Sequence, residues 1–265
     1  MNLMHFHRPE TVAAAAALAA EHGEDKLLAG GQSLLPTMRM GLASPHGLID
    51  LSGVAEMRGV CRDGDGLVIG AMATHAEVAA NAEVKAMIPA LADLAGKIGD
   101  RQVRNRGTIG GSIAHNDPAA CYPAAVLGLD ATIRTNRRRI AAADYFRGLY
   151  STALDPDELI VAIHFPRPEK AAWVKFRQPA SRFSIVGVFL AKTAAGVRVA
   201  VTGAGVDGVF RATAIEQALD RSFTPAAAEA VVVDAAGLSS DLFASADYRA
   251  HLIPVLAARA VVAAT

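Results

Sequence analysis

Two glycine pairs about eighty positions apart constrain this chain more than any other feature: Ala29-Gly30-Gly31-Gln32-Ser33-Leu34 and Thr108-Ile109-Gly110-Gly111-Ser112. Each follows or flanks short apolar, strand-like residues, so each predicts a tight bend beside buried extended structure. Glycine lets the backbone adopt positive φ and approach an anion closely. Successive N–H groups can then converge on phosphate oxygens, with Ser33, Thr108 and Ser112 adding hydroxyl donors. Hydrogen bonds to a charged partner contribute roughly 1.5–3 kcal/mol each, so four or five such donors hold a diphosphate without a lysine clamp. Neither segment follows the Gly-x-Gly-x-x-Gly pattern or the lysine-bearing P-loop, which disfavours nicotinamide and ATP folds. A single Gly-Gly pair is more often an ordinary turn than a ligand site. Arg101, Arg104 and Arg106, just before the second segment, read equally well as surface charges.

The surrounding pattern is α+β. A helix is expected over Thr11 to His22, a buried strand over Lys26 to Ala29, a short helical turn from Ser33 to Met40 and a strand over Gly47 to Leu51. A strand follows at Leu67 to Gly70, then helices over His75 to Ala80 and Val84 to Ile98. Strands or turns are expected around the glycine-rich stretch 104–112, a helix over Pro123 to Leu129 and a strand over Ala131 to Arg134. The run Arg137-Arg138-Arg139 reads as a solvated turn. After a strand over Leu159 to Phe165, Pro166-Arg167-Pro168 is the clearest punctuation, and a domain boundary is expected there. Beyond it, strands are expected at Trp173 to Phe176, Ile185 to Ala191 and Val197 to Val201, and a turn at Gly203 to Gly208. Helices are expected at Ala212 to Ala218, Pro225 to Ala236 and Asp247 to Ala263.

Composition narrows the function. The 265 residues are enough for one large domain or two small ones. Twenty-six basic residues balance 26 acidic ones, so no net field favours nucleic acid, and anion binding must be local. The two cysteines, Cys61 and Cys121, complete neither a disulfide framework nor an iron–sulfur site, which fits a reducing compartment. No run of eighteen apolar residues suggests a membrane span, and no signal peptide is read at the N-terminus. His5 and His7 alternate on a possible strand. With no acidic or cysteine partner at a usual spacing they read as a structural or solvent-exposed pair, and no metal site is expected. Neither a nucleophile elbow nor a carboxylate pair on a recognisable scaffold is present, so no catalytic residue is assigned.

The strings LLAGGQSLLPTMRMGLASPHGLIDLSGV (Leu27 to Val54) and QVRNRGTIGGSIAHNDPAACYPAA (Gln102 to Ala125) resemble the FAD-binding medium subunits of molybdenum hydroxylases, the carbon monoxide dehydrogenase and xanthine dehydrogenase type. The likeness continues in order through IGAMATHAEVA (Ile69 to Ala79), LDPDELI (Leu154 to Ile160) and VKFRQPASRFSIVG (Val174 to Gly187). It implies a two-lobed FAD-binding domain of the vanillyl-alcohol-oxidase (PCMH) type over residues 1–166, with lobes of about 1–55 and 56–166. A smaller α+β domain over 167–265 follows. By the same resemblance, Leu27, Leu28, Ala29, Gly30, Gly31, Gln32, Ser33, Leu34, Thr108, Ile109, Gly110, Gly111 and Ser112 surround the diphosphate and ribityl of non-covalent FAD. Asp117 accepts from a ribityl hydroxyl, and Ile160 with Lys175 or Arg177 approaches the isoalloxazine. Cys121 stands where the family often has an acidic residue.

The resemblance also implies an electron-transfer subunit. Its partners would be a large molybdenum-cofactor subunit and a small subunit with two two-iron, two-sulfur clusters, in a dimer of heterotrimers that delivers electrons to quinone, NAD or oxygen. The implied location is cytoplasmic, with association at the inner face of the membrane as a variant. Two rivals remain: a self-contained flavin oxidase of the same superfold, and a scaffold subunit that has lost FAD. Covalent attachment through Cys121 or His115 is disfavoured, because the family resembled binds FAD without such a link.

Overall fold

The computed structural model describes residues 4–264; Met1 to Leu3 and Thr265 lie outside it. The fold is α+β, and three sheets follow one another along the chain. The first contains β1 (His5–His7), β2 (Lys26–Leu28) and β3 (Gly47–Asp50), with α1 (Val12–Glu21) and α2 (Leu34–Arg39) between them. Thr11 starts α1 by accepting the Ala14 N–H, the role expected of a threonine before an alanine-rich run. β3 lies centrally and pairs in parallel with both neighbours, His5 opposite Gly47 and Leu27 opposite Ile49. Parallel pairing needs crossover connections, which the helical segments supply.

The second sheet collects β4 (Val60–Asp63), β5 (Gly66–Gly70), β6 (Thr132–Thr135), β7 (Arg139–Ala141) and, after a small hairpin of β8 (Phe146–Gly148) and β9 (Ser151–Thr152), β10 (Ile160–Pro166). Its order is β4-β5-β10-β6-β7, antiparallel throughout. β10 is central and buried on both faces, as its continuous apolar run requires. Seven short helices fall between its strands: α3 (His75–Ala80), α4 (Ala82–Met87), α5 (Pro89–Gly96), α6 (Arg101–Arg106), α7 (Ile109–His115), α8 (Tyr122–Gly128) and α9 (Ala142–Tyr145). The single helix expected over Val84 to Ile98 is therefore two. Pro89 excludes the helical conformation at Ile88, whose φ and ψ are −140° and 69°, and the chain restarts with proline in the first turn. The strands or turns expected around 104–112 are replaced by α6 and α7, each capped by the side chain just before it, Asp100 and Thr108.

The third sheet is an antiparallel meander of β11 (Lys170–Arg177), β12 (Ser184–Thr193), β13 (Gly196–Gly205) and β14 (Gly208–Arg211), followed by α10 (Thr213–Arg221), α11 (Pro225–Glu229) and α12 (Ala246–Ala263). The expected helix over Pro225 to Ala236 ends early, at Glu229. The turn expected over Gly203 to Gly208 is mostly strand end and hairpin. Alternation divides this sheet cleanly. Val188, Leu190, Val199 and Val201 pack with Ile253, Leu256 and Ala260 of α12 in one core. Trp173, Phe189 and Ala200 face the other way and join the core of the first two sheets. Gly128 of α8 permits that contact, since a Cβ there would lie 3.1 Å from the Phe189 ring.

Arg249 of α12 is buried, and its guanidinium donates to the carbonyls of Ile185 and Gly203 and to Asp241. Two carbonyls of the sheet thus depend on one side chain. Arg249→Met is expected to lower stability by about 3 kcal/mol, because it orphans both buried acceptors. Chemical denaturation checks this, with the midpoint moving to lower denaturant.

Candidate functional site

A cleft of about 740 Å³ opens where the three sheets approach one another. Volumes of roughly 300–1,000 Å³ are usual for sites that hold small molecules and cofactors. Its walls come from the β2–α2 loop, α6–α7, the segment 152–160 and the β11–β12 turn. Fourteen of the sixteen residues expected to hold a cofactor line it: Leu27, Ala29, Gly30, Gly31, Gln32, Ser33, Leu34, Thr108, Gly110, Gly111, Ser112, Asp117, Ile160 and Lys175. Leu28 and Ile109 are not among the lining residues. Leu28 packs under the loop, its Cδ1 3.4 Å from where a Gly31 Cβ would sit, and Ile109 is fully buried in the core. Arg101, Arg104, Arg106 and Arg177 are also absent from the lining. Arg104 instead donates to the carbonyls of Ile98 and Gly99, both at 3.0 Å.

The β2–α2 loop carries an unusual row of free donors. Among the described residues, none of the five amide N–H groups from Gly30 to Leu34 has a protein acceptor. Gly31 is left-handed at φ +73° and Ser33 is right-handed, a combination that turns consecutive N–H groups toward one concavity and favours an anion. The second glycine segment behaves differently from its expectation. It is the first turn of α7, and its amides are occupied: Ile109 donates to Ala73 O, Gly110 to Ala71 O, Gly111 to Thr108 Oγ1 and Ser112 to Thr108 O. Among the described residues, only the Thr108 amide and the hydroxyls of Thr108 and Ser112 remain there as donors. Its glycines serve close packing instead, for a Cβ on Gly110 would lie 2.5 Å from the Ala71 methyl. Gly30 is similar: a Cβ there would meet Arg106 O at 2.1 Å and Gly107 Cα at 2.7 Å. A Cβ on Gly111 would come within 3.4 Å of the Ala29 methyl, so the two segments face each other.

At the other wall, Lys175 Nζ donates to Lys97 O and Arg182 O, both at 2.8 Å, and sits 3.5 Å from Cys121 Sγ. The ammonium ties the third sheet to the loop after α5. Cys121 is buried and also faces Ser184 Oγ at 3.7 Å. Asp117 lines the cleft and accepts the Ala119 N–H at 2.8 Å through Oδ1.

Two polar residues of the cleft, Glu158 and His75, escape a reading by residue spacing. Glu158 is fully buried at its side chain and accepts from Arg138 Nε and Nη2, Thr135 Oγ1 and the Asp155 N–H. The Arg138 hydrogen bonds, with those of Thr135 and the Asp155 amide, hold its carboxyl at about 2. Arg137 pairs with Asp157 and Arg138 with Glu158, so the arginine turn, solvated as expected, also clamps the segment 155–158. His75 is buried beside Tyr122, ring centroids 5.3 Å apart. Burial, and then the Arg104 guanidinium, push its imidazole down to about 4. Burial also raises the Tyr122 phenol well above its ordinary value, so both rings are neutral. The one advance signal for His75 and Glu158 is their position inside the motifs 69–79 and 154–160. His5 and His7 are not an isolated pair: His22 and Asp25 stand beside them, and Asp25 also lines the cleft.

A family model described as the FAD binding domain in molybdopterin dehydrogenase matches residues 2–168. The chain is similar to the carbon monoxide dehydrogenase medium chain of Hydrogenophaga pseudoflava, at 34% identity over 98% of this chain and 96% of that one. It is equally similar to the nicotine 6-hydroxylase medium subunit of Paenarthrobacter nicotinovorans, at 35% identity over 98% and 97%. A solved carbon monoxide dehydrogenase from Hydrogenophaga pseudoflava superposes with a TM-score of 0.88 at 35% identity, covering 98% of this chain and 96% of that one.

Two expectations follow from the cleft. Gly30→Ala drives a methyl into the Arg106 carbonyl and displaces the donor loop, so flavin affinity should fall by about tenfold or more, a loss of roughly one hydrogen bond to charge. Gly96→Ala, which meets only the Ala79 methyl at 3.8 Å and lies outside the cleft lining, should leave it unchanged; flavin fluorescence titration reads both. His75 has a folded value below its unfolded one, so the unfolded chain binds the extra proton and stability falls as pH drops from about 6.5 to about 4. His75→Gln should flatten that part of the curve of melting temperature against pH.

Proposed function

Since the chain belongs to the FAD-binding medium-subunit family of molybdenum hydroxylases, and is thus an oxidoreductase subunit, we propose that it relays electrons from a partner subunit through FAD to an external acceptor. The observation that carries this reading is the row of unpaired amides from Gly30 to Leu34 along the cleft wall. In this proposal those amides bind the diphosphate, the Thr108 and Ser112 hydroxyls add donors, and Asp117 accepts from a ribityl hydroxyl. Leu27, Ala29 and Ile160 supply apolar wall, and Lys175 braces the wall from the third sheet. Neutral His75 lines the cleft, with neutral Tyr122 buried beside it, so neither brings charge there. When bound, FAD supplies acceptance of single electrons from iron–sulfur clusters and release of a pair to the acceptor.

The chain's own task is to hold, orient and partly shield the cofactor without a covalent link. The molybdenum cofactor and the iron–sulfur clusters belong, in this reading, to a large and a small subunit, assembled as a dimer of heterotrimers in the cytoplasm. Among the described residues no helix is long and apolar enough to cross a membrane. Relatives of nearly equal identity carry the names of carbon monoxide and nicotine enzymes, which supports placing substrate choice in a different polypeptide.

Reconstitution with FAD tests the proposal. The chain should bind one flavin that denaturation releases intact. The bound flavin should stay oxidised under carbon monoxide or nicotine until the partner subunits are added. Failure to bind flavin would remove the proposal; substrate-dependent reduction by the isolated chain would replace it with a self-contained oxidase.

A further inference from the structure

We propose that His5, His7, His22 and Asp25 form a four-ligand site for one divalent transition-metal ion of the zinc class, at the N-terminal sheet. Each residue offers one ligand atom, and all four atoms lie within 4.8 Å of one another. They come from separate elements: two from β1, one from the residue capping α1, one from the turn before β2. The His7 and His22 rings stack with centroids 4.9 Å apart, and His5 sits edge-on to both at 6.3 and 6.1 Å.

The independent sign of a ligand is an unpaired couple inside the cluster. His7 Nε2 and Asp25 Oδ2 are both shut off from solvent, and neither has a hydrogen-bond partner. They are 3.8 Å apart, too far to bond each other, and the Asp25 side chain is only 2% exposed. An unsatisfied buried polar group is destabilising, so two side by side are costly unless something sits between them. A cation satisfies both. The carboxylate cannot readily turn away, because it packs on Gly47, with Oδ2 2.4 Å from the place a Cβ would take.

Donor chemistry selects the ion. Three imidazole nitrogens and one carboxylate oxygen suit zinc, and also copper or nickel, whereas calcium and magnesium demand oxygen-rich shells. Zinc bonds of roughly 2.0–2.1 Å place tetrahedral ligand atoms about 3.3 Å apart, so side-chain movements of under about 1 Å each close the cluster on an ion. His22 follows the last turn of α1, whose carbonyl ends favour positive charge. With four protein ligands and no open position, the site is structural. It would tie the two outer strands of the parallel sheet to the end of α1.

The test uses the full chain without an affinity tag, stripped with chelator and titrated with zinc chloride. Elemental analysis after dialysis should find one zinc per chain, cobalt should give the intense visible bands of a tetrahedral site, and zinc should raise the melting temperature. Asp25→Asn and His7→Ala should weaken zinc binding by about tenfold or more, the scale that even outer-sphere changes reach. His5→Ala, at an exposed position where folding is not at stake, should do the same. Retention of less than about a tenth of an equivalent, or affinity unchanged in both Asp25→Asn and His5→Ala, would overturn the site. Flavin content is not a readout, so the result stands apart from that of the proposed function.

Discussion

The cleft depends on a backbone-to-backbone contact that only glycine allows. Gly30 lies against the carbonyl of Arg106 and the Cα of Gly107, and Gly110 lies against Ala71. The Gly30 contact draws the first sheet's loop onto the end of α6, and the Gly110 contact seats α7 on the segment after β5. The unpaired amides of this loop belong to residues that line the cleft. A side chain at Gly30 would push the loop off the Arg106 carbonyl, and one at Gly110 would push α7 off Ala71.

The two glycine segments look alike in sequence and divide the labour. The amides of residues 109–112 are satisfied within α7 and against Ala71 and Ala73, so this segment is a rigid wall. The segment 30–34 leaves its amides open, and the rigid wall limits how far it moves. The third sheet closes the far side, where Lys175 and Arg182 reach carbonyls of residues 97 and 99 across the join. An acidic residue at position 121 would face the Lys175 ammonium; with Cys121 there, the ammonium is held by carbonyls instead.

Much of this was readable from local chemistry. Thr11, Pro166 and the alternating runs of β12 and β13 announce their elements because capping, proline geometry and period-two burial act over a few residues. Both glycine segments were identifiable as parts of one site. What glycine does in each was not, since the Arg106 carbonyl and the Ala71 methyl arrive from distant sequence. Pro89 carried the signal that splits the helix over 84–98, yet apolar spacing runs through it unbroken. The grouping of His22 and Asp25 with His5 and His7 depends on parallel pairing through β3, and no spacing rule encodes that. The same holds for Glu158, whose partners Thr135 and Arg138 come from the neighbouring hairpin.

The two-sided burial of the third sheet bears on how such a subunit changes over time. One face is covered by α12 and the other by α8, so the final hundred residues share a core with what precedes them. Cutting at the proline-rich junction would strand Trp173 and Phe189 in water. The carboxy-terminal portion is therefore poorly suited to being shuffled between proteins as a detachable module. Heat or denaturant should find one melting unit where inheritance by parts would suggest two.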